Sequence, residues 1–335
     1  MNGPPDATTV GAAVEAALRD RGVAAPRCRQ VIVVDDKPGR RAVLRAELVE
    51  PVELPGRPGS PLAAVYVKWS ADTGRGERNH ATLDALEQAL GAVAGGPWLP
   101  AAIAHLPGLS LQLLGEVAGA TVAQHGPVLD GASAEVLGRA LATFHHSGAA
   151  LPAAYHLDDE ARTLREWVTE LVGAGCPAGL VARYREVTDE AVAATAAVPL
   201  WAGGVVHRDL HEEHCLLTAP AEAGTGPGVG VIDLDEVRQG DPVVDLGHLA
   251  VHLHLRAGAT GAGLYRGPAG AVLAAWDRAA PEPSRPEAVR AFGALACVKI
   301  ARQRATGYGT APRPVGAARW PSVAAALELA ESLLR

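Results

Sequence analysis

Residues 207 to 245 arrange carboxylates in a pattern suited to phosphoryl transfer. His207-Arg208-Asp209-Leu210-His211 follows the apolar run Gly204-Val205-Val206, and Val231-Ile232-Asp233-Leu234-Asp235 closes a second apolar run that begins at Val229. Gly240-Asp241-Pro242 and Asp245-Leu246 come close behind. Two strands of this kind carry their terminal aspartates to one hairpin. Moving the γ-phosphoryl of ATP needs a carboxylate to orient the attacking hydroxyl and accept its proton, and another to hold the magnesium that bridges the phosphates. Asp209 suits the first role and Asp233 the second. Each aspartate alone reads as a cap or turn residue. Placed at the ends of two strands with Gly-Asp-Pro behind them, they read jointly as a reaction centre.

The clusters match the H-R-D and D-F-G elements of protein kinases, with two departures. Leu234-Asp235 stands where Phe-Gly would follow Asp233, and His211 comes two residues after Asp209. With Gly240-Asp241-Pro242-Val243-Val244-Asp245-Leu246 added, the segment resembles the aminoglycoside phosphotransferase and choline kinase family, whose members phosphorylate small hydroxyl compounds on a shortened kinase-like fold. The likeness is clearest between residues 207 and 246, and weaker landmarks carry it over most of the chain. It implies an α+β, bilobal, protein-kinase-like fold. An N-lobe of antiparallel sheet plus helix, residues 1–116, would bind nucleotide, and a mainly helical C-lobe, residues 117–335, would hold the catalytic and acceptor-binding groups. Asp209 is then catalytic, with His207 and Arg208 beside it in the same loop. Asp233 is a metal ligand, and Asp235 binds metal directly or through water. Asp245 is the buried carboxylate that accepts backbone hydrogen bonds from the loop around His207 and Arg208, and Asp241 with Pro242 fixes a turn.

The remaining landmarks are the elements that must position these groups. Residues 9 to 22 have the spacing of an amphipathic helix. Arg29 to Val34 and Arg41 to Val49 read as strands joined by Asp35-Asp36-Lys37-Pro38-Gly39-Arg40, a hairpin signal. In the family this turn covers the phosphates. Here it lacks a G-x-G-x-x-G loop, so Lys37 and Arg40 are assigned as phosphate contacts, with a solvated basic tip as the alternative. Only three lysines occur, Lys37, Lys68 and Lys299. Lys68 ends the apolar strand Leu62 to Trp69, where burial is costly unless an anion meets it, and it resembles the lysine that grips the α- and β-phosphates. A helix over Glu77 to Val93 should supply its carboxylate partner, Glu77 first and Glu87 second, and both also read as solvated helix charges. Leu109 to Val117 reads as a buried strand, and it resembles the family's edge strand and hinge, a resemblance that would place Glu116 and Val117 against the adenine. Helices are expected over Ser133–Ser147, Asp158–Val172, Pro268–Ala280, Pro286–Arg304 and Pro321–Leu334, and a surface loop over Ala219–Gly230.

His214 breaks the family pattern, since relatives place an asparagine metal ligand there. Magnesium prefers oxygen donors. His214 therefore either positions Asp209, binds a softer ion such as manganese, or marks a noncatalytic chain. His211 and His214 are three apart in a loop, whereas zinc-protease histidines stand four apart on a helix.

The 335 residues carry a formal charge of −7 with no run of five or more like charges, which argues against a nucleic-acid partner. Four dispersed cysteines suggest neither a disulfide framework nor a metal knuckle. No uncharged run of about 18 apolar residues occurs, and the N-terminus lacks a signal-peptide pattern, so no membrane partner and a cytoplasmic location are expected. The expected activity is ATP-dependent transfer to a hydroxyl of a small molecule such as an aminoglycoside or sugar. A kinase acting on Ser/Thr of a peptide and a noncatalytic pseudokinase are the alternatives. Asp158, Asp159, Glu160, Glu166 and Glu170 would suit a polycationic acceptor or are solvent-facing charges, whereas Lys299, Arg302 and Arg304 point toward an anionic or peptide acceptor.

Overall fold

The computed structural model describes residues 3–335 except 56, 58–60, 92, 94–95, 127, 219–227, 260, 262 and 308–315. The first elements in chain order are α1 (Ala7–Asp20), β1 (Cys28–Lys37), β2 (Arg41–Val52), β3 (Leu62–Ser70), α2 (Thr73–Leu90), β4 (Ala102–Leu106), β5 (Leu111–Gly115) and β6 (Ala120–Thr121). Next come α3 (Gly131–His145), α4 (Leu157–Gly173), α5 (Ala178–Ala196), β7 (Gly204–Val206), β8 (Cys215–Thr218), β9 (Gly228–Val231) and β10 (Arg238–Gly240). The chain closes with α6 (Val243–Arg256), α7 (Gly267–Ala279), α8 (Pro286–Thr306) and α9 (Trp320–Leu334).

Two compact units result. The first comprises Met1–Thr121, Ala149–Pro152 and His214–Asp235, and the second comprises Val122–Gly148, Ala153–Glu213 and Glu236–Arg335. The expected division at 116/117 lies near the first crossing, but the sheet unit also takes the β8–β9 hairpin from far along the chain. Antiparallel sheet dominates one unit and helices the other, the α+β kinase-like plan expected from the sequence.

In the sheet unit the strands run β1-β2-β3-β5-β4, every neighbouring pair antiparallel. On β2, Ala42, Leu44, Ala46 and Leu48 alternate inward, the period of a half-buried strand. α1 adds Val10, Val14, Ala17 and Leu18 to the same core, and Asp6 caps it by accepting from Thr9 N at 2.9 Å. β6, β8 and β9 form a second, three-stranded antiparallel sheet. Gly228 to Gly230 are therefore strand, whereas 219–227 of the expected surface loop lie outside the described residues.

β4 was not expected from the sequence. It is short, and Pro107-Gly108 turns it back onto β5, so the strand expected from Leu109 starts only at Leu111. α2 begins at Thr73 rather than Glu77 because Asp72 caps it, accepting from Gly74 N at 3.0 Å.

The helical unit packs α3 on α7, and α8 on α6, α5 and α9. α5 and α6 carry no clear sequence period, for opposite reasons. The inward positions of α5 include Thr188, Ala191 and Thr195, too polar or small to stand out. α6 is buried at every position from Val243 to Val251, and a helix buried all round has no polar face to mark its period. Gly247 permits that burial: a Cβ there would lie 2.6 Å from Gly293 N on α8. Gly247→Ala gains about 1 kcal/mol of helix propensity, but the neighbour it strikes is backbone and cannot rotate away. The expected net loss is about 1–2 kcal/mol, read as a lowered denaturant midpoint. Gly173→Ala, where nothing lies within 4 Å, should leave that midpoint unchanged or raise it.

Candidate active site

Lys68 sits on a central strand of the sheet unit, between Val43 of β2 and Gln112 of β5. Its ammonium donates to Asp233 Oδ1 at 2.5 Å and Asp235 Oδ1 at 2.7 Å. Burial alone would lower the pKa of this amine, but the charges of Asp235 and Asp233 outweigh it and hold the ammonium above its ordinary range. Arg75 of α2 adds a second cation 3.7 Å from Asp235 Oδ2. Lys68, singled out from the sequence, meets Asp233 and Asp235, so the helix carboxylate expected as its partner is corrected. Neither Glu77 nor Glu87 holds it: Glu77 is exposed, and Glu87 takes Arg57 at 2.6 Å and Ala102 N at 2.9 Å, tying α2 to β4.

The β8–β9 hairpin delivers the two carboxylates. The Ile232 N–H donates to His214 O at 3.0 Å, and Asp233 follows in the left-handed region at φ 58°. Aspartate tolerates that region better than most residues, and such backbone persists where surrounding structure over-determines it. His214 Nε2 stands 3.7 Å from Asp233 Oδ2, so the imidazole at the asparagine position does lie beside the expected metal ligand. Val117 packs on β9, where a Cβ at Gly230 would come within 2.6 Å of its Cγ1. Glu116 spends its N–H on Ala64 O at 3.2 Å and its carboxylate on Arg45 at 3.1 Å. Lys37 and Arg40 occupy the β1–β2 turn, closed by Arg40 N donating to Lys37 O at 2.9 Å.

The Asp209 loop belongs to the helical unit. β7 pairs antiparallel with β10 and leads directly into His207. Asp245, fully buried in the first turn of α6, accepts from His207 N at 2.5 Å and Arg208 N at 2.8 Å. These bonds restrain Arg208 at φ 71°, a conformation that costs an arginine about 1–2 kcal/mol. The expected role of Asp245 is thus realised in the hydrogen bonding. The side chains of His207 and Arg208 make positioning contacts: His207 Nδ1 accepts from Asp209 N at 3.4 Å, and Arg208 donates to Glu236 at 3.1 Å and lies 5.7 Å from the centre of the Tyr155 ring. Asp241 accepts from Trp201 N at 2.8 Å and Val243 N at 3.1 Å, fixing its turn, and also receives Arg285.

Sequence reasoning missed two residues behind Asp245. His145 Nε2 lies 3.1 Å from Asp245 Oδ2, and Trp276 Nε1 lies 3.0 Å from His145 Nδ1. An indole N–H can only donate, so Nδ1 is the acceptor and Nε2 carries the proton given to Asp245. Nothing local in the sequence signals this relay, whose members lie on three helices.

The two charge arguments about the acceptor are both weakened by the packing of α4 on α8. Lys299 pairs with buried Glu160 at 2.5 Å, Arg302 donates to Glu170 at 2.9 Å, and Arg304 donates to Ser322 O at 2.8 Å. Burial raises the Glu160 pKa, but the Lys299 charge outweighs it and keeps the carboxyl below its ordinary range. Asp159 is taken by Arg162 at 2.6 Å. Glu160 and Glu170 of the acidic helix are thus spent on Lys299 and Arg302.

A model of the phosphotransferase enzyme family matches residues 29–292. No curated protein matches the chain. Among solved structures, the chain is similar to amicoumacin kinase hAmiN in complex with AMP-PNP, Ca2+ and Ami, at 13% identity and TM-score 0.62, covering 96% of this chain and 92% of that one. It is also similar to spectinomycin phosphotransferase APH(9)-Ia in complex with ADP and spectinomycin, at 11% identity and TM-score 0.60, covering 98% and 99%. The choline kinase LicA from Streptococcus pneumoniae matches at 14% identity and TM-score 0.56, covering 96% and 98%. At these identities the likeness is one of fold. No helix among the described residues is long and apolar enough to cross a membrane.

Proposed function

Because the chain belongs to the phosphotransferase enzyme family, we propose that it transfers the γ-phosphoryl group of ATP to a hydroxyl of a small molecule. The observation that carries this reading is the grip of Asp233 and Asp235 on Lys68. An ammonium can turn to phosphate oxygens and carboxylates to a hard cation, the charges that a triphosphate and its metal ion present.

The two carboxylates offer oxygen, the donor magnesium takes, and Asp233 is 43% exposed on its side chain, so the pair fits that ion. The imidazole of His214 fits it less well. Asp233 and Asp235 would hold the ion, which when bound offsets phosphate charge. Lys68 orients the phosphates, and Lys37 and Arg40 extend that contact from the hairpin. The backbone of Glu116 and Val117 receives the base. Asp209 aligns the acceptor hydroxyl and takes its proton as the new O–P bond forms and the bond from the γ-phosphorus to the β–γ bridging oxygen breaks. His207, Arg208 and Asp245 keep the Asp209 loop in place.

A binding module without turnover is the second reading, favoured by His214 beside Asp233. Calorimetry with ATP and GTP, each with magnesium, manganese or no metal, tests both readings on wild type and Asp233→Asn. Metal-dependent binding should weaken about tenfold or more in the variant, a loss of about 1.4 kcal/mol or more. Aminoglycosides, choline, sugars and a Ser/Thr peptide are then screened for ADP release matched by phosphorylated product. Nucleotide binding without product from any acceptor would favour the binding module, and no binding under any condition would sink both.

A further inference from the structure

Behind the Asp209 loop, the helical unit gathers imidazoles that the proposed reaction does not use. His248 and His252 stand one turn apart on α6, the i, i+4 spacing that puts two rings on one helix face. The His252 ring is stacked on that of His211 with centroids 5.0 Å apart, and lies 4.9 Å from that of His248. Glu212 joins them, with Oε2 at 3.0 Å from His252 Nδ1. One ligand atom from each of His211, Glu212 and His252 lies within 4.8 Å of the other two.

The independent observation is His248. It is 2% exposed, and neither ring nitrogen has a hydrogen-bond partner; His252 Nε2 is buried in the same condition. Burying polar nitrogens unsatisfied is costly. A cation that takes the lone pair of one nitrogen in each ring reduces that cost.

We propose that His211, Glu212 and His252, with His248 as the fourth donor, form a binding site for a divalent ion of the zinc class. Three imidazoles and one carboxylate are donors that zinc takes in four-coordinate sites, whereas magnesium favours all-oxygen sets. The nearby Lys299 ammonium is already paired with Glu160 at 2.5 Å, which reduces its repulsion of a cation. The backbone is braced too: Glu212 O accepts from Ala123 N at 3.1 Å, and His211 Nδ1 accepts from Glu213 N at 3.3 Å. The ion would tie the segment directly after Asp209 to α6, and its role would be to hold that loop rather than to meet substrate. This site uses none of the side chains of the Lys68–Asp233–Asp235 cluster and does not depend on the function proposed above.

The test uses the full chain, stripped with chelator and titrated with zinc by calorimetry, with thermal unfolding followed in parallel. One zinc per chain should bind, raise the unfolding temperature and resist displacement by millimolar magnesium. Affinity should fall about 100-fold or more in His252→Ala and in His248→Ala, and should be unchanged in Asp233→Asn. Circular dichroism checks that the variants fold. If they do not, cobalt substitution in wild type and Asp233→Asn still decides, since four-coordinate cobalt gives intense visible bands. No stoichiometric zinc, no such cobalt spectrum, or binding abolished by Asp233→Asn would each overturn the proposal.

Discussion

Asp209→Asn should lower turnover by about three orders of magnitude, within the range that a positioned general base contributes, while leaving nucleotide affinity and folding unchanged. Asparagine matches aspartate in size but cannot accept the hydroxyl proton at neutral pH. The loop should not move, because its anchors are the Asp245 bonds to His207 N and Arg208 N and the His207 Nδ1 bond to Asp209 N, none of which involves the Asp209 carboxylate. Rate measured as product formed, together with ATP affinity by calorimetry, separates the outcomes. A variant that keeps more than about a tenth of wild-type turnover would place the base elsewhere, since that retention amounts to under about 1.4 kcal/mol of barrier.

Asp245→Ala should be the most damaging single change to stability, at about 3–5 kcal/mol. The substitution leaves three donors in a dry site: His207 N, Arg208 N and His145 Nε2. Each unsatisfied buried donor costs about 1–3 kcal/mol, against a typical total stability of about 5–15 kcal/mol. Asparagine should not restore the site. Both carboxylate oxygens accept hydrogen bonds here, so an amide NH2 must face an N–H whichever way it is turned. His145 cannot relieve the conflict by changing tautomer, because Trp276 Nε1 donates to its other nitrogen. Urea unfolding measures the loss. A shift below about 1 kcal/mol would mean that the loop does not hang on this carboxylate. Turnover of any folded fraction should also fall, since the left-handed Arg208 loses its own N–H bond to Asp245 and the one made by the preceding His207 N–H.

Segments whose local form is set by their own residues were legible. Asp209, Asp233 and Asp245 sit in segments where strand ends, turn residues and spacing dictate one another, and Lys68 stands out as a lysine closing an apolar strand in a lysine-poor chain. The antiparallel sheet could be read from its hairpin turn and alternation, and most of the helices from their amphipathic spacing. β4, α5 and α6 were not legible: one is too short, one presents small or polar inward residues, and one is buried on every side.

Pairing across the chain was beyond the sequence. Lys68 takes its carboxylates from 165 and 167 residues away, not from the adjacent helix where Glu77 and Glu87 stood as candidates. The acidic residues of α4 and the basic residues of α8 argued for opposite acceptors until the fold showed Glu160 paired with Lys299 and Glu170 with Arg302. The His145–Trp276 relay and the His211–Glu212–His252 cluster are of the same kind. Local chemistry follows from covalent spacing and backbone preference, which the sequence states outright. Which charge meets which depends on how distant elements pack, and many arrangements satisfy the same local rules. The sequence by itself therefore determined the phosphotransferase family and the kinase-like fold, and the tertiary structure alone decided which distant side chains meet.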